Sequence, residues 1–262
     1  MTKTLTLVLF FFSLAHSAQE AACMLIAEIP LKADRFTGID DFDNLYYVDN
    51  NVLYKEGKEA TIRYNNLQLG NIGSIDILNP LEITVFYPDF NTVIKLDNTL
   101  NEIIKIDFNH TKKFRNIQYV TTANDKNLWT FNSDLQQLEI FNYQTRETIP
   151  ANQPLSREVI AQGSNYNFCW LLTPKELLKY NSYGSLLEIT PLEDYDAFSQ
   201  SGGDIILRKN NTLFYKKDNS GQITPLKISG IGIKDFYIKG NNLYIYDGKN
   251  LYHYQLNFSK KE

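Results

Sequence analysis

The chain has 262 residues, 43% of them hydrophobic and 21% charged, with a formal net charge of −4, 17 Tyr and 16 Phe against two Cys, two Trp and three His. That length suits one large domain or two small ones, and abundant apolar residues at low net charge exclude intrinsic disorder. Lys and Arg are dispersed and the pI is near 5.5, which excludes the basic stripe a nucleic-acid binder needs, and two Cys alone make neither a zinc site nor a disulfide framework.

The chain opens with Lys3, an apolar run from Leu5 to Leu14 broken by Thr6 and Ser13, and the small residues Ala15, Ser17 and Ala18. This is the pattern of a secretory signal peptide over residues 1–18; ten residues of helix span about 15 Å, half of a bilayer core. Cleavage after Ser17 or Ala18 removes Lys3 alone among charged groups and leaves 25 basic against 30 acidic residues, a net of −5. No second hydrophobic span follows, so the mature chain, residues 19–262, is expected to be exported without a transmembrane segment. Cys23, after Ala21-Ala22, shares two small residues and the Cys with a lipobox. Glu20 stands where an aliphatic belongs, and the apolar run ends too early. The expectation is an unlipidated Cys acting as a small buried hydrophobe on a strand.

From there a unit of about forty residues recurs six times, each time a small-residue strand, then two strands joined by an Asn- or Asp-rich turn. The first unit has Phe36 to Asp41, the hairpin Asn44 to Lys55 and an outer strand Ala60 to Tyr64. The second has Ile72 to Ile77, Leu81 to Leu96 and Glu102 to Phe108. The third has Ile117 to Thr122 and Asn127 to Asn142, with no outer strand assigned. Val159 to Gly163, Asn167 to Asn181 and Leu186 to Thr190 make the fourth. The fifth has Ala197 to Gly202, Asp204 to Lys216 and Ile223 to Ile228. In the sixth, Ile233 to Ile238 and Asn242 to Gln255 are followed by the chain end.

Anchored on one aliphatic of the third strand (Leu53, Val93, Leu138, Leu177, Leu213, Leu251), the intervals are 40, 45, 39, 36 and 38 residues. That spacing predicts an all-β, six-bladed β-propeller, one domain over residues 19–262. Met24 to Leu31 lacks a partner of its own, and it would close the ring by pairing onto the last blade and covering its edge. A sandwich of meanders and a seven-bladed ring are the alternatives. Cys23 and Cys169 would then lie in different blades, unable to form a disulfide.

The stretch Thr37 to Asn50 (TGIDDFDNLYYVDN) resembles the repeat of six-bladed propellers of the NHL and TolB-like group, and Asn242 to Asp247 (NLYIYD) is a second, shorter match. Tyr47 departs from that pattern at an aliphatic position. The resemblance implies a scaffold that hosts hydrolases, lactonases, dehydrogenases and binding proteins alike.

Chemistry is sparse. His110 falls in a loop and His253 between two Tyr on an outlying strand, and no Gly-x-Ser-x-Gly turn is present. Six-bladed lactonases hold calcium with axial carboxylate and amide oxygens. The residues here that could do so, on or beside innermost strands, are Asp40, Asp41, Asp76, Asn116, Asp196 and Asp235; no other cofactor is expected. Tyr87, Phe90 and Tyr195, with other aromatics at strand ends and turns, would mark a binding face unless they pack between blades. Sequons at Asn109, Asn210 and Asn257 are what chance gives among 27 Asn. The reading this supports is an exported, non-enzymatic propeller binding a protein partner or scaffolding a bacterial envelope complex, type IX secretion being one specific guess. A calcium-dependent lactonase-like hydrolase, or a sugar- or peptide-binding module using the axial mouth, are the alternatives.

Overall fold

Each repeat unit becomes a four-stranded antiparallel meander in the computed structural model, which describes residues 21–258; the expected signal peptide lies outside them. The first strand is β1 (Ala21–Pro30). Blade 1 follows with β2 (Arg35–Ile39), β3 (Leu45–Asp49), β4 (Val52–Glu56) and β5 (Thr61–Tyr64), and blade 2 with β6 (Ser74–Asp76), β7 (Ile83–Tyr87), β8 (Thr92–Leu96) and β9 (Glu102–Asp107). Blade 3 is β10 (Ile117–Thr122), β11 (Asn127–Asn132), β12 (Gln137–Asn142) and β13 (Glu147–Pro150). Blade 4 is β14 (Ala161–Ser164), β15 (Phe168–Leu172), β16 (Glu176–Asn181) and β17 (Leu186–Pro191). Blade 5 comprises β18 (Ala197–Ser201), β19 (Asp204–Lys209), β20 (Thr212–Lys216) and β21 (Ile223–Pro225). Blade 6 comprises β22 (Asp235–Lys239), β23 (Asn242–Tyr246) and β24 (Asn250–Phe258), completed by β1.

The six anchor residues all fall on third strands, β4, β8, β12, β16, β20 and β24. Closure is as expected and slightly longer: β1 pairs antiparallel with β24 from Ala21↔Phe258 to Pro30↔Asn250, with an irregularity between Leu25 and Ala27. Three of its outward side chains, Met24, Leu25 and Ile26, remain about half exposed. The outer strand of blade 3, β13, is one the sequence reading lacks. It is short, polar at its start and ends in Pro150, which an edge strand tolerates because its N–H side faces no partner.

Turn chemistry fixes the hairpins. Asn50 and Asn51 both adopt left-handed backbone (φ 50° and 59°) between Asp49 and Val52, the geometry a two-residue hairpin turn demands. Gly202 and Gly203 (φ 61° and 104°) do the same between β18 and β19.

The first strands surround the axis, with neighbours in contact along β6, β10, β14, β18, β22 and β2. Crowding there explains the small residues: a Cβ at Gly163 would stand 3.0 Å from the Phe198 ring, and one at Gly38 3.0 Å from both Ile77 and Tyr237. The core is divided among the blade interfaces. Leu53, Tyr64 and Tyr87 pack between blades 1 and 2, Phe86, Phe108 and Phe141 between 2 and 3, and Trp129 and Tyr180 between 3 and 4. Trp170 and Leu207 fill the 4/5 interface, Ile206 and Leu243 the 5/6 interface, and Phe36 and Tyr246 the 6/1 interface. Most of the aromatic excess is therefore blade-to-blade packing.

Candidate functional site

The first strands all run the same way along the axis, so their ends define two faces. Face A carries the loops that follow the first strands, such as residues 40–44, 77–82 and 165–167; face B carries the segments that precede them and the turns between second and third strands. Between the faces lies an axial cavity of about 270 Å³ walled by the six first strands, with Asp76, Leu78, Gln162, Gln200 and Tyr237 in its lining.

The carboxylates and amides singled out in the sequence do not converge. Asp40, Asp41 and Asp76 lie at face A, whereas Asn116, Asp196 and Asp235 lie at face B, a strand length of roughly 15 Å away. Among the described residues, no three or more His, Cys, Asp or Glu come together as a metal site.

Asp40 is 3% exposed, and its carboxylate accepts from the backbone N–H groups of Phe42 and Asn44 (both 2.9 Å), from Asn44 Nδ2 and from the Tyr46 hydroxyl (2.9 Å). Burial pushes this carboxyl up, but the bonds from Asn44, Tyr46 and Phe42 outweigh it and leave it below the usual value. Asp76 and Asp235 join blades. Asp76 accepts from Leu78 N and, across the 2/3 interface, from Thr122 N (2.6 Å), and Asp235 accepts from Phe36 N (2.9 Å) across the 6/1 interface. Burial raises the Asp235 carboxyl.

Asn116 is exposed and donates to Asp134, and Asp196 pairs with Arg208 at 2.7 Å. Tyr87 is not a surface residue: it is fully buried in the core between blades 1 and 2. Phe90 is exposed on face B, and Tyr195 is half-buried, edge-on to Phe214. Asp41 is exposed beside Lys239 (3.7 Å).

His110 and His253 stand away from the axis. His110 Nδ1 meets Asp107 at 2.8 Å on the rim, and His253 stacks on Tyr244 with Nε2 2.8 Å from Asn242 Oδ1. Cys23 and Cys169 occupy blades 6 and 4 and form no disulfide.

One recurrent feature escaped the sequence reading. Lys55, Lys95 and Lys179 each sit two residues after the third-strand anchor and are buried. Lys55 Nζ donates to Asn98 O of blade 2 and lies over the Tyr46 ring; Lys179 Nζ reaches Asp218 of blade 5 (2.8 Å) and lies over Phe168 and Trp170. Lys95 donates to Thr84 (2.8 Å) under Tyr143 of blade 3, and burial lowers its pKa. The constant offset from the anchor was the available signal.

At face A the loops bring unlike residues together. Tyr166, after β14, reaches from blade 4 to the Leu78 carbonyl of blade 2 (3.4 Å) and so overhangs the cavity mouth. Burial raises its phenol, and Asp76, Asp41 and Glu82 raise it further. On the same face Phe42 is 63% and Leu81 60% exposed, while Tyr166 itself is 44% exposed.

No protein-family model matches the chain, and no curated protein resembles it in sequence. Solved structures do. Virginiamycin B lyase from Staphylococcus aureus superposes with a TM-score of 0.61 at 10% identity, over 91% of this chain and all of the lyase. BamB from Moraxella catarrhalis gives 0.53 at 8% identity, over 92% of this chain and 100% of its own. PorZ of Porphyromonas gingivalis, described as an essential surface component of the type IX secretion system, gives 0.51 at 13% identity, over 92% of this chain but 39% of PorZ. The chain is a six-bladed β-propeller. Identities this low carry the fold, in keeping with its resemblance to the NHL and TolB-like group, and not the activity of any neighbour. Among the described residues no helix is long and apolar enough to cross a membrane.

Proposed function

We propose that this propeller is an exported, non-enzymatic binding protein that docks a protein partner on face A and so helps scaffold a bacterial envelope complex. The observation that carries the reading is the trio Phe42, Leu81 and Tyr166, large side chains left exposed on the first loops of blades 1, 2 and 4 at face A. Interface centres favour aromatic and apolar side chains with a polar rim, and the exposed Asp41 and Asp43 beside Phe42 supply that rim. Export rests on the leader-like residues 1–18. PorZ supports the reading as an example of this fold in a bacterial surface component, and an accessory role in type IX secretion is the specific case the reading favours.

A photo-crosslinking residue placed at Phe42 or Tyr166 in the native cell tests this. One discrete protein adduct is expected from those positions, and none from Leu67 on face B. Recovery as a lone monomer without adducts, with tight calcium binding and turnover of esters or lactones, would establish the enzyme instead.

A further inference from the structure

The lysine that recurs two residues after a third-strand anchor meets a fixed position of the next blade, five residues after that blade's own anchor. From blade 4, Lys179 Nζ finds Asp218 at that position, at 2.8 Å. From blade 2, Lys95 lies under Tyr143. From blade 1, Lys55 finds Asn98, which offers its backbone carbonyl at 2.8 Å and no charge. An ammonium group has three N–H donors; Lys55 commits one of them to Asn98 O and stands over the Tyr46 ring, 5.6 Å from its centroid.

A buried lysine normally has a counter-ion, because an ammonium taken out of water without one is costly. Lys179 and Lys216 have theirs in Asp218 and Glu188. Lys55 is only 9% exposed, and among the described residues no carboxylate pairs with it. It lies in the wall of a groove of about 360 Å³ between blades 1 and 2, with Phe42, Asn44, Ile62 and Asn98. The corresponding groove between blades 4 and 5 holds Phe168, Lys179 and Asp218. Third strands run the same way as first strands, so both grooves open on face A. Lys58 and Glu59, both exposed at the edge of the first groove, offset each other.

The two grooves share the ammonium and differ in the carboxylate. Blade 5 supplies one from its own turn, whereas blade 2 leaves the place to a neutral Asn. We propose that the groove between blades 1 and 2 takes the carboxylate of an Asp or Glu side chain presented by the partner polypeptide, paired with Lys55 and flanked by the exposed Phe42. Asp218 on Lys179 is the precedent within the same chain for a side-chain carboxylate as the occupant. The groove's size falls in the roughly 300–1,000 Å³ of pockets that bury a ligand. This rests on the reading of face A as the docking face and names the charge that the partner must carry there.

The test titrates the purified full-length mature chain, followed by NMR, with the capped tripeptides acetyl-Leu-Glu-Leu-amide and acetyl-Leu-Gln-Leu-amide. The Glu peptide is expected to saturate with Kd of about 1 mM or tighter, the Gln peptide to bind at least about fivefold more weakly, and the difference to shrink as salt rises. Lys55→Met, which keeps the apolar stem and removes the charge, should bring the Glu peptide down to the level of the Gln peptide. Asn98→Asp, which puts a carboxylate on the turn beside Lys55, should weaken the Glu peptide by about threefold or more even where Lys55→Met folds poorly. Lys112→Met, an exposed site on face B, should change nothing. No saturation up to about 20 mM, equal binding of the Gln peptide, or an Asn98→Asp variant that binds like the parent would each overturn the proposal. If adducts still form at Phe42 while these titrations fail, the docking face stands and the carboxylate falls. If the adducts also vanish, both fall.

Discussion

Asp40 is the residue whose role changes most between sequence and structure. It heads an Asp-x-x-x-Asn loop in which one carboxylate ties two backbone N–H groups, the Asn44 amide and the Tyr46 hydroxyl. The same device recurs at Asp97, which accepts from Thr99 N and Asn101 N and lies at a pKa of about 2, held down first by the Asn101 N–H. Replacing Asp40 with Ala strands several buried donors and is expected to cost about 2–4 kcal/mol at pH 7, read by urea denaturation. The pH dependence has a fixed sign. Because the folded carboxyl lies below its ordinary value of 3.8, its stabilisation is complete above that pH and fades as pH falls through the folded value. The gap between wild type and D40A should therefore narrow in acid, and a gap that is flat from pH 7 to pH 2.5 would contradict the assignment. The turn role of Asp and Asn was legible from their placement between strands. Which carboxylate serves a turn and which spans two blades was not, because Asp76 and Asp235 meet Thr122 and Phe36 across 46 and 199 residues of sequence.

At the level of the strand, β1 holds the most information about how the ring stays shut. Its sequence carries no turn partner of its own, so its place on β24 could be reasoned from what the last blade lacked. The anchors were readable because apolar third strands recur every 36–45 residues and cannot shift by one residue without turning their core side outward. β13 was not readable, since a four-residue edge strand is too short to make a periodic signal. Cys23 on β1 reports on docking directly. It packs against the blade 5/6 core, where burial lifts its thiol from 9.0 to about 11. Two units of pKa leave about a hundredfold less thiolate near pH 8, so alkylation of Cys23 in the native protein should run about a hundredfold slower than of an exposed Cys. Cys169, fully buried in blade 4, should not react before global unfolding. Native Cys23 alkylated at the rate of a free peptide thiol would mean that β1 spends much of its time off β24.

For the whole molecule, the decisive property is that the chain crosses every blade interface. Five crossings are the links between consecutive blades, and the sixth is the passage from β1 on blade 6 to β2 in blade 1. Opening the ring between blades 6 and 1 therefore requires stripping β1 from β24 along its length as well as breaking the bonds of Tyr246 with Ala33 and of Asp235 with Phe36. A circular permutant separates these contributions. Ala21 and Phe258 are register partners at adjacent ends of an antiparallel pair, so a turn of about two to five residues can join them. New termini between Lys32 and Ala33 then give six contiguous blades with every strand pairing kept. What is lost is only the covalent passage across the 6/1 interface, where side chains alone now hold the ring. The permutant is expected to keep the far-ultraviolet circular dichroism of the parent and to melt about 5–10 °C lower, the closure entropy being no longer prepaid by the chain. A permutant as stable as the parent would show that the side-chain links across that interface suffice, and that β1 serves to cover the edge of β24 rather than to lock the ring.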